Sequence, residues 1–174
     1  SAASGTVAIG VSALGALTSG ASNIAIGRSS AQHLTTGENN TVIGFDAFSD
    51  LDVGGSANAP TSSDNVFIGK NVGGGVWADA ASNKNKAIGT FAMDAAMSGA
   101  LNNTAVGYSS LSALTTGDAN TAIGYQSMLT GTGSQNNVMV GYNTGYQMLT
   151  GEAFNTVLGS QAFSGAHASS DTDS

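Results

Sequence analysis

A short pattern of polar and apolar positions returns nine times along this chain. In each copy a branched aliphatic residue is followed by glycine, and eight of the nine copies have an asparagine four residues before that glycine. The repeat glycines are Gly10, Gly27, Gly44, Gly69, Gly89, Gly107, Gly124, Gly141 and Gly159. The steps between them are 17, 17, 25, 20, 18, 17, 17 and 18 residues. Such a repeat predicts one structural unit copied along the chain, which argues against an enzyme.

The residues before each glycine are typical of a short β-strand bounded by turn residues. We predict that the column directly before glycine points into the core: Ile9, Ile26, Ile43, Ile68, Ile88, Val106, Ile123, Val140 and Leu158. The column before it is also apolar: Ala8, Ala25, Val42, Phe67, Ala87, Ala105, Ala122, Met139 and Val157. Because a strand that is apolar on both faces is usually buried on both, we expect this alanine-rich face to meet another copy of the chain.

The repeated asparagines are expected to stack in a structural ladder, each amide bonding to the next, rather than to bind a ligand. They are Asn23, Asn40, Asn65, Asn85, Asn103, Asn120, Asn137 and Asn155, and Thr6 occupies this position in the first copy.

A second apolar segment and a second turn follow each glycine. Apolar residues lie four positions after it in most copies, and turns such as Thr115-Thr116-Gly117 close many of the coils. We therefore predict two short strands and two turns per coil, in an all-β parallel β-solenoid or β-roll of about nine 17–18-residue coils. Helical hairpins fit less well, because they tolerate this much glycine badly.

The domain organisation predicted from these repeats is simple. Residues 1–164 form a single solenoid domain, with loop insertions at about 45–64 and 70–84, and residues 165–174 form a polar C-terminal tail. Both ends of the chain are almost bare repeat, which predicts open edges that polymerise. We expect the insertions to leave the solenoid as loops on one face, often a contact face.

Composition narrows the function classes. Only 9% of the residues are charged, which suggests that much of the surface is covered by ladders or by neighbouring chains. The net charge of −7, with four Lys and Arg residues, disfavours nucleic acid. Cysteine is absent, so disulfides and thiolate metal sites are excluded. No apolar run is long enough to span a membrane.

Aromatic residues are the candidate contact positions. Tyr108, Tyr125 and Tyr142 follow consecutive repeat glycines and should form a ladder on one face. Such a strip could stack sugar rings, although a packing ladder is the favoured interpretation. Trp77, the single tryptophan, lies in a glycine-rich insertion. It is either a contact anchor for a subunit or receptor or a plug that holds its own loop on the roll.

Polar clusters give little support for chemistry. Asp46, Asp50, Asp52 and Asp64 surround the larger insertion, but they lack calcium-loop spacing and are expected to be solvated. His33 and His167 are isolated in sequence. We therefore predict no catalytic residues, no metal site and no cofactor.

Several phrases resemble a known family. Asn-Thr-Ala-Ile-Gly-Tyr-Gln-Ser (120–127), Asn-Thr-Ala-Val-Gly-Tyr-Ser-Ser (103–110) and the Leu-Thr-Thr-Gly turns (34–37, 114–117) resemble the head repeats of YadA-type trimeric autotransporter adhesins. They resemble still more the related repeats of bacteriophage tail fibres. The resemblance runs from Thr6 to about Phe163. It implies a left-handed parallel β-roll, commonly with three chains around one axis, in an extracellular fibre or adhesin without enzyme activity or cofactor.

Two functional hypotheses follow. The first is a structural protomer of an extracellular fibre or filament, with itself as partner in a trimer or a head-to-tail stack. The second is a tail-fibre or trimeric-adhesin segment that binds a cell-surface glycan or protein. An ice-binding solenoid is disfavoured by its interrupted threonine column, and a polysaccharide-cleaving solenoid by coils that lack clustered carboxylates.

Overall fold

A computed structural model describes residues 3–49, 61–75 and 80–165. Within them each copy of the repeat forms one three-residue strand that ends directly before the repeat glycine. The strands are β1 (Val7–Ile9), β2 (Ile24–Ile26), β3 (Thr41–Ile43), β4 (Val66–Ile68), β5 (Lys86–Ile88), β6 (Thr104–Val106), β7 (Thr121–Ile123), β8 (Val138–Val140) and β9 (Thr156–Leu158).

The nine strands form one parallel sheet in chain order, β1 to β9. Equivalent residues pair throughout, as Ala105 does with Ala122 and Ala122 with Met139. The register holds across the longest step, where Val42 pairs with Phe67. The predicted all-β parallel β-solenoid is therefore confirmed, and each side chain lies above its counterpart in the next coil.

The core lies between the strands and the segment that follows each glycine. The central residue of each strand from β2 to β8 is buried, and it faces the buried apolar residues of that segment. Side-chain sizes are complementary across this narrow space. Where the strand supplies Phe67, the segment has Gly73. A Cβ on Gly73 would lie 3.4 Å from the phenylalanine ring. Where it supplies Met139, the segment has Gly145.

The segment after the glycine is not the second strand that the sequence predicts. In the described residues the strands are the nine already named, and this segment instead alternates through left-handed backbone conformations. Leu111 (φ 52°) and Met128 (φ 51°) are fully buried examples. Hydrogen bonds between coils hold the segment, for example from Leu111 N to Ser127 O (3.0 Å) and from Met128 N to Thr144 O (2.9 Å). These bonds satisfy the backbone without strand geometry.

The repeat glycine is required both by its conformation and by its neighbours. Gly124 has φ 138°, a region that L side chains rarely adopt. A Cβ there would lie 2.1 Å from the carbonyl oxygen of Gly141 in the next coil. Coils can therefore stack at strand spacing only if this column lacks side chains.

Candidate interaction surfaces

The aliphatic column before the glycine does not form the core, so that prediction is wrong. Its members point away from the coil interior and are half-buried or exposed, with Ile88 44% and Ile123 39% accessible. Ala87 and Ala122, the residues before them, are fully buried. Successive strand residues point to opposite faces, and the coil interior has room for alanine on the strand because the facing segment supplies the larger side chains.

The two outer residues of every strand form a continuous surface, which we call the outward face. Besides the aliphatic column it contains the first residue of each strand: Val7, Ile24, Thr41, Val66, Lys86, Thr104, Thr121, Val138 and Thr156. Lys86 is the one charged residue of these strand positions. With eight strand spacings of about 4.8 Å, the face is roughly 38 Å long. A long strip of mostly branched side chains with a single charge is typical of an interaction surface.

The asparagines stack inside the coil, on the edge of the core. The backbone N–H and the side-chain Nδ2 of Asn40 both donate to Oδ1 of Asn23, over 2.9 and 3.0 Å. The same Nδ2 donates to the carbonyl oxygen of Ser62 (3.0 Å). Asn120 and Asn137 repeat this arrangement. The amides from Asn23 to Asn137 are buried and engaged with neighbouring coils, so the arrangement serves packing.

The three tyrosines also stack. The ring centroids of Tyr108 and Tyr125 are 5.3 Å apart with an 11° interplanar angle, and those of Tyr125 and Tyr142 are 5.3 Å apart at 10°. Phe91 meets the first ring edge-on at 5.9 Å. The tyrosine side chains are 43%, 43% and 50% exposed in chain order. Because the rings cover one another's faces, mainly edges and hydroxyls remain for a ligand, which does not favour sugar stacking along the strip.

The same column contains a second aromatic contact that the sequence did not indicate. The guanidinium carbon of Arg28 lies 5.3 Å from the ring centroid of Phe45 in the next coil. A cation over an aromatic ring is an attractive contact. In-register stacking brings the two side chains together, and the position of each one after a repeat glycine is the sequence signal that could have revealed it.

The remaining candidate residues are scattered or lie outside the described part of the chain. Trp77, Asp50, Asp52 and His167 fall outside the described residues. The side chain of His33 contacts the carbonyl oxygen of Ser49 through Nδ1. Asp64 accepts a hydrogen bond from Asn39 Nδ2 (3.2 Å). No group of three or more potential metal ligands occurs among residues 3–49, 61–75 and 80–165.

In the described ranges no helix has the length and apolar character needed to cross a bilayer. No family model matches the chain, and neither a curated protein nor a solved structure is found to be similar to it.

Proposed function

We propose that this protein is a non-enzymatic structural protomer of an extracellular fibre, which assembles from copies of itself through the outward face. The observation that supports this most is the continuous face of nine in-register strands, on which Lys86 is the one charged residue. The extracellular setting rests on the resemblance to adhesin heads and tail fibres.

A second copy is the partner that suits this face best. Branched side chains repeat along it at the strand spacing of about 4.8 Å, so a complementary surface needs ridges and grooves with the same period. Another β-solenoid of the same sequence has that period. Parallel sheets are usually covered on both faces, and here the coil interior covers one face while the other carries exposed Ile9, Ile88 and Ile123.

The described coils also suit axial growth. Each inner strand bonds to the following coil through the N–H of its first residue and the carbonyl of its last, as Val138 N donates to Asn155 O (2.8 Å). At β9 the equivalent groups are the N–H of Thr156 and the carbonyl of Leu158. At β1 the matching groups are the carbonyl of Thr6 and the N–H of Gly10. A further coil in the same register, added at either end, would pair the backbone groups of that edge, whichever chain supplies the coil.

The test of lateral assembly is a pair of matched double variants. Ile26→Asp with Ile123→Asp places two carboxylates on the outward face, whereas Thr36→Asp with Thr116→Asp places them at two exposed residues of the Thr-Thr-Gly turns. We expect the parent chain and the turn variant to associate over the same concentration range in sedimentation velocity. The outward-face variant should remain monomeric while its circular dichroism is unchanged. Equal association of the two variants would contradict assembly through this face.

A receptor-binding segment is the second candidate, and the exposed tyrosine edges are what favour it. The tyrosine hydroxyls, one in each of three successive coils, could donate hydrogen bonds to a glycan or a protein surface. A Tyr108→Phe, Tyr125→Phe and Tyr142→Phe variant keeps the stacking and removes the hydroxyls. Loss of binding on a glycan array or on cells would support this function, and silence of the parent chain on both would count against it.

A further inference from the structure

We propose that the tyrosine ladder is a modification site, where oxidation joins tyrosines of successive coils into an intrachain dityrosine link. The ladder brings together Tyr108, Tyr125 and Tyr142, with adjacent centroids 5.3 Å apart. Their exposure of 43–50% leaves the ring edges open to an oxidant. This inference does not depend on the proposed assembly.

The geometry suits coupling between neighbours because the fold fixes which rings meet. Strands β6, β7 and β8 pair in register, so the three rings stay in one column. Coupling joins carbons ortho to the phenolic oxygens, so the rings must turn out of the stacked arrangement about their side-chain bonds before two such carbons meet. The exposure of the three side chains, 43–50%, leaves room on the solvent side for that turn.

The chemistry balances with a peroxide as oxidant. Each of two phenols loses one electron and its hydroxyl proton, and the two phenoxyl radicals form a carbon–carbon bond between ortho positions. The hydrogen on each joined carbon then leaves as a proton, while each phenolic oxygen regains one. Two electrons and two protons leave the protein overall, and hydrogen peroxide takes them up through a haem peroxidase to give two waters.

The consequence would be a covalent connection between coils in a chain that has no cysteine. The link would close a loop between residues 17 apart, since Tyr108, Tyr125 and Tyr142 are evenly spaced. Closing a loop restricts the unfolded chain and so favours the folded one. Phe91 contacts the ring of Tyr108 edge-on at 5.9 Å and has no hydroxyl, so it supplies no phenol for coupling at that end of the ladder.

The test uses the full chain, a haem peroxidase and hydrogen peroxide at high dilution, with tandem mass spectrometry of the digested protein. We expect peptides joined through Tyr125 to Tyr108 or Tyr142, with the loss of two hydrogen atoms, together with dityrosine fluorescence. Tyr125→Phe should reduce both signals to background. Tyr146→Phe, which removes the tyrosine outside the ladder, should leave them unchanged.

The folded geometry is checked by repeating the oxidation in urea, after circular dichroism has shown that both variants fold in its absence. The proposal predicts that the same links fall to a small fraction of their folded yield. Equal yields in urea, equal yields in Tyr125→Phe, links found only between chains, or oxidation without any link would each overturn it.

Discussion

At the scale of single residues, backbone conformations that most side chains avoid shape the coil. Besides the repeat glycine, residues such as Leu111, Ala119 and Gln126 have φ of 52°, 56° and 50°. Each left-handed residue other than glycine costs about 1 kcal/mol or more. Hydrogen bonds from the next or the previous coil offset this cost, as Gln126 N donates to Tyr108 O (2.8 Å). The conformation is therefore stable in a stack rather than in an isolated coil.

The glycine column gives a prediction with an internal control. Gly124 and Gly159 have nearly the same φ, 138° and 136°. A Cβ on Gly124 would lie 2.1 Å from the Gly141 carbonyl oxygen, whereas on Gly159 its nearest neighbour would be the Ala162 Cβ at 3.7 Å. We expect Gly159→Ala to lower the free energy of unfolding by about 1–3 kcal/mol, from backbone strain alone. Gly124→Ala should lower it by more than about 4 kcal/mol.

Urea denaturation followed by circular dichroism measures the difference between these two variants. Equal losses of stability would show that the close approach of the coils at this column is wrong. A Gly124→Ala chain that fails to fold while Gly159→Ala folds would agree with the account.

Residue size explains why the sequence predicts the repeat period correctly but assigns the wrong face of each strand to the core. Isoleucine is fully buried more often than alanine. For that reason the isoleucine column, and not the alanine-rich one, was predicted to be the interior. The deciding signal was present in the correlated sizes of the two inner columns. Phe67 is followed six residues later by Gly73, and Met139 by Gly145, whereas Ala105 and Ala122 are followed by leucine and methionine. Such compensation indicates positions that share one space.

At the scale of the element, a three-residue strand has one inward and two outward side chains. In β7 Ala122 is fully buried and Ile123 is 39% exposed. The sequence predicted the strands and their register well, because nine aligned copies define both. It could not predict the left-handed path after the glycine, since the residues there include Ser, Leu, Ala and Phe, which have no common preference for that conformation.

Adjacent substitutions in β7 test the direction of the strand. Ala122→Asp would bury a carboxylate in a filled space, so we expect a loss of more than about 4 kcal/mol in the free energy of unfolding. Ile123→Asp should cost about 1 kcal/mol in dilute solution, because its side chain reaches solvent. Thermal melts at a concentration where the chain is monomeric give the comparison. A larger loss of stability in Ile123→Asp than in Ala122→Asp would show that the Ile column lies in the core.

Lys86 makes a separate prediction about the outward face. It lies in β5, the fifth of the nine strands, so antiparallel packing centred on the sheet places it against its copy. Parallel packing side by side places Lys86 of the two chains at the same height along the stack. Both arrangements bring like charges together. Lys86→Thr, which matches Thr104 in the next strand, should tighten association several-fold and weaken its dependence on salt.

Sedimentation equilibrium at low and high salt checks the effect of Lys86. Lys84→Thr removes the same charge from an exposed residue directly before the asparagine position and serves as the control. Unchanged association in Lys86→Thr, or an equal gain in both variants, would show that the centre of the outward face is not in the contact.

At the scale of the whole molecule, the stack is nearly one-dimensional, since each described strand contacts only the strands before and after it. Stability in such a molecule is the sum of weak single coils and strong interfaces between coils. The sequence predicted this architecture from its period alone. It also predicted a second apolar surface, although it assigned that surface to the wrong column. A second copy is our proposed cover for this surface, and a single chain's sequence specifies such an assembly only indirectly.

The central claim is that copies of this chain associate through the outward face into a fibre. Mass photometry of the purified chain, with negative-stain electron microscopy of the same sample, tests it most directly. The account predicts particles of several 17.0 kDa chains, seen as narrow rods or longer filaments that disappear in the Ile26→Asp, Ile123→Asp variant. A chain that stays monomeric at the highest attainable concentration, with no rods on the grid, would contradict it.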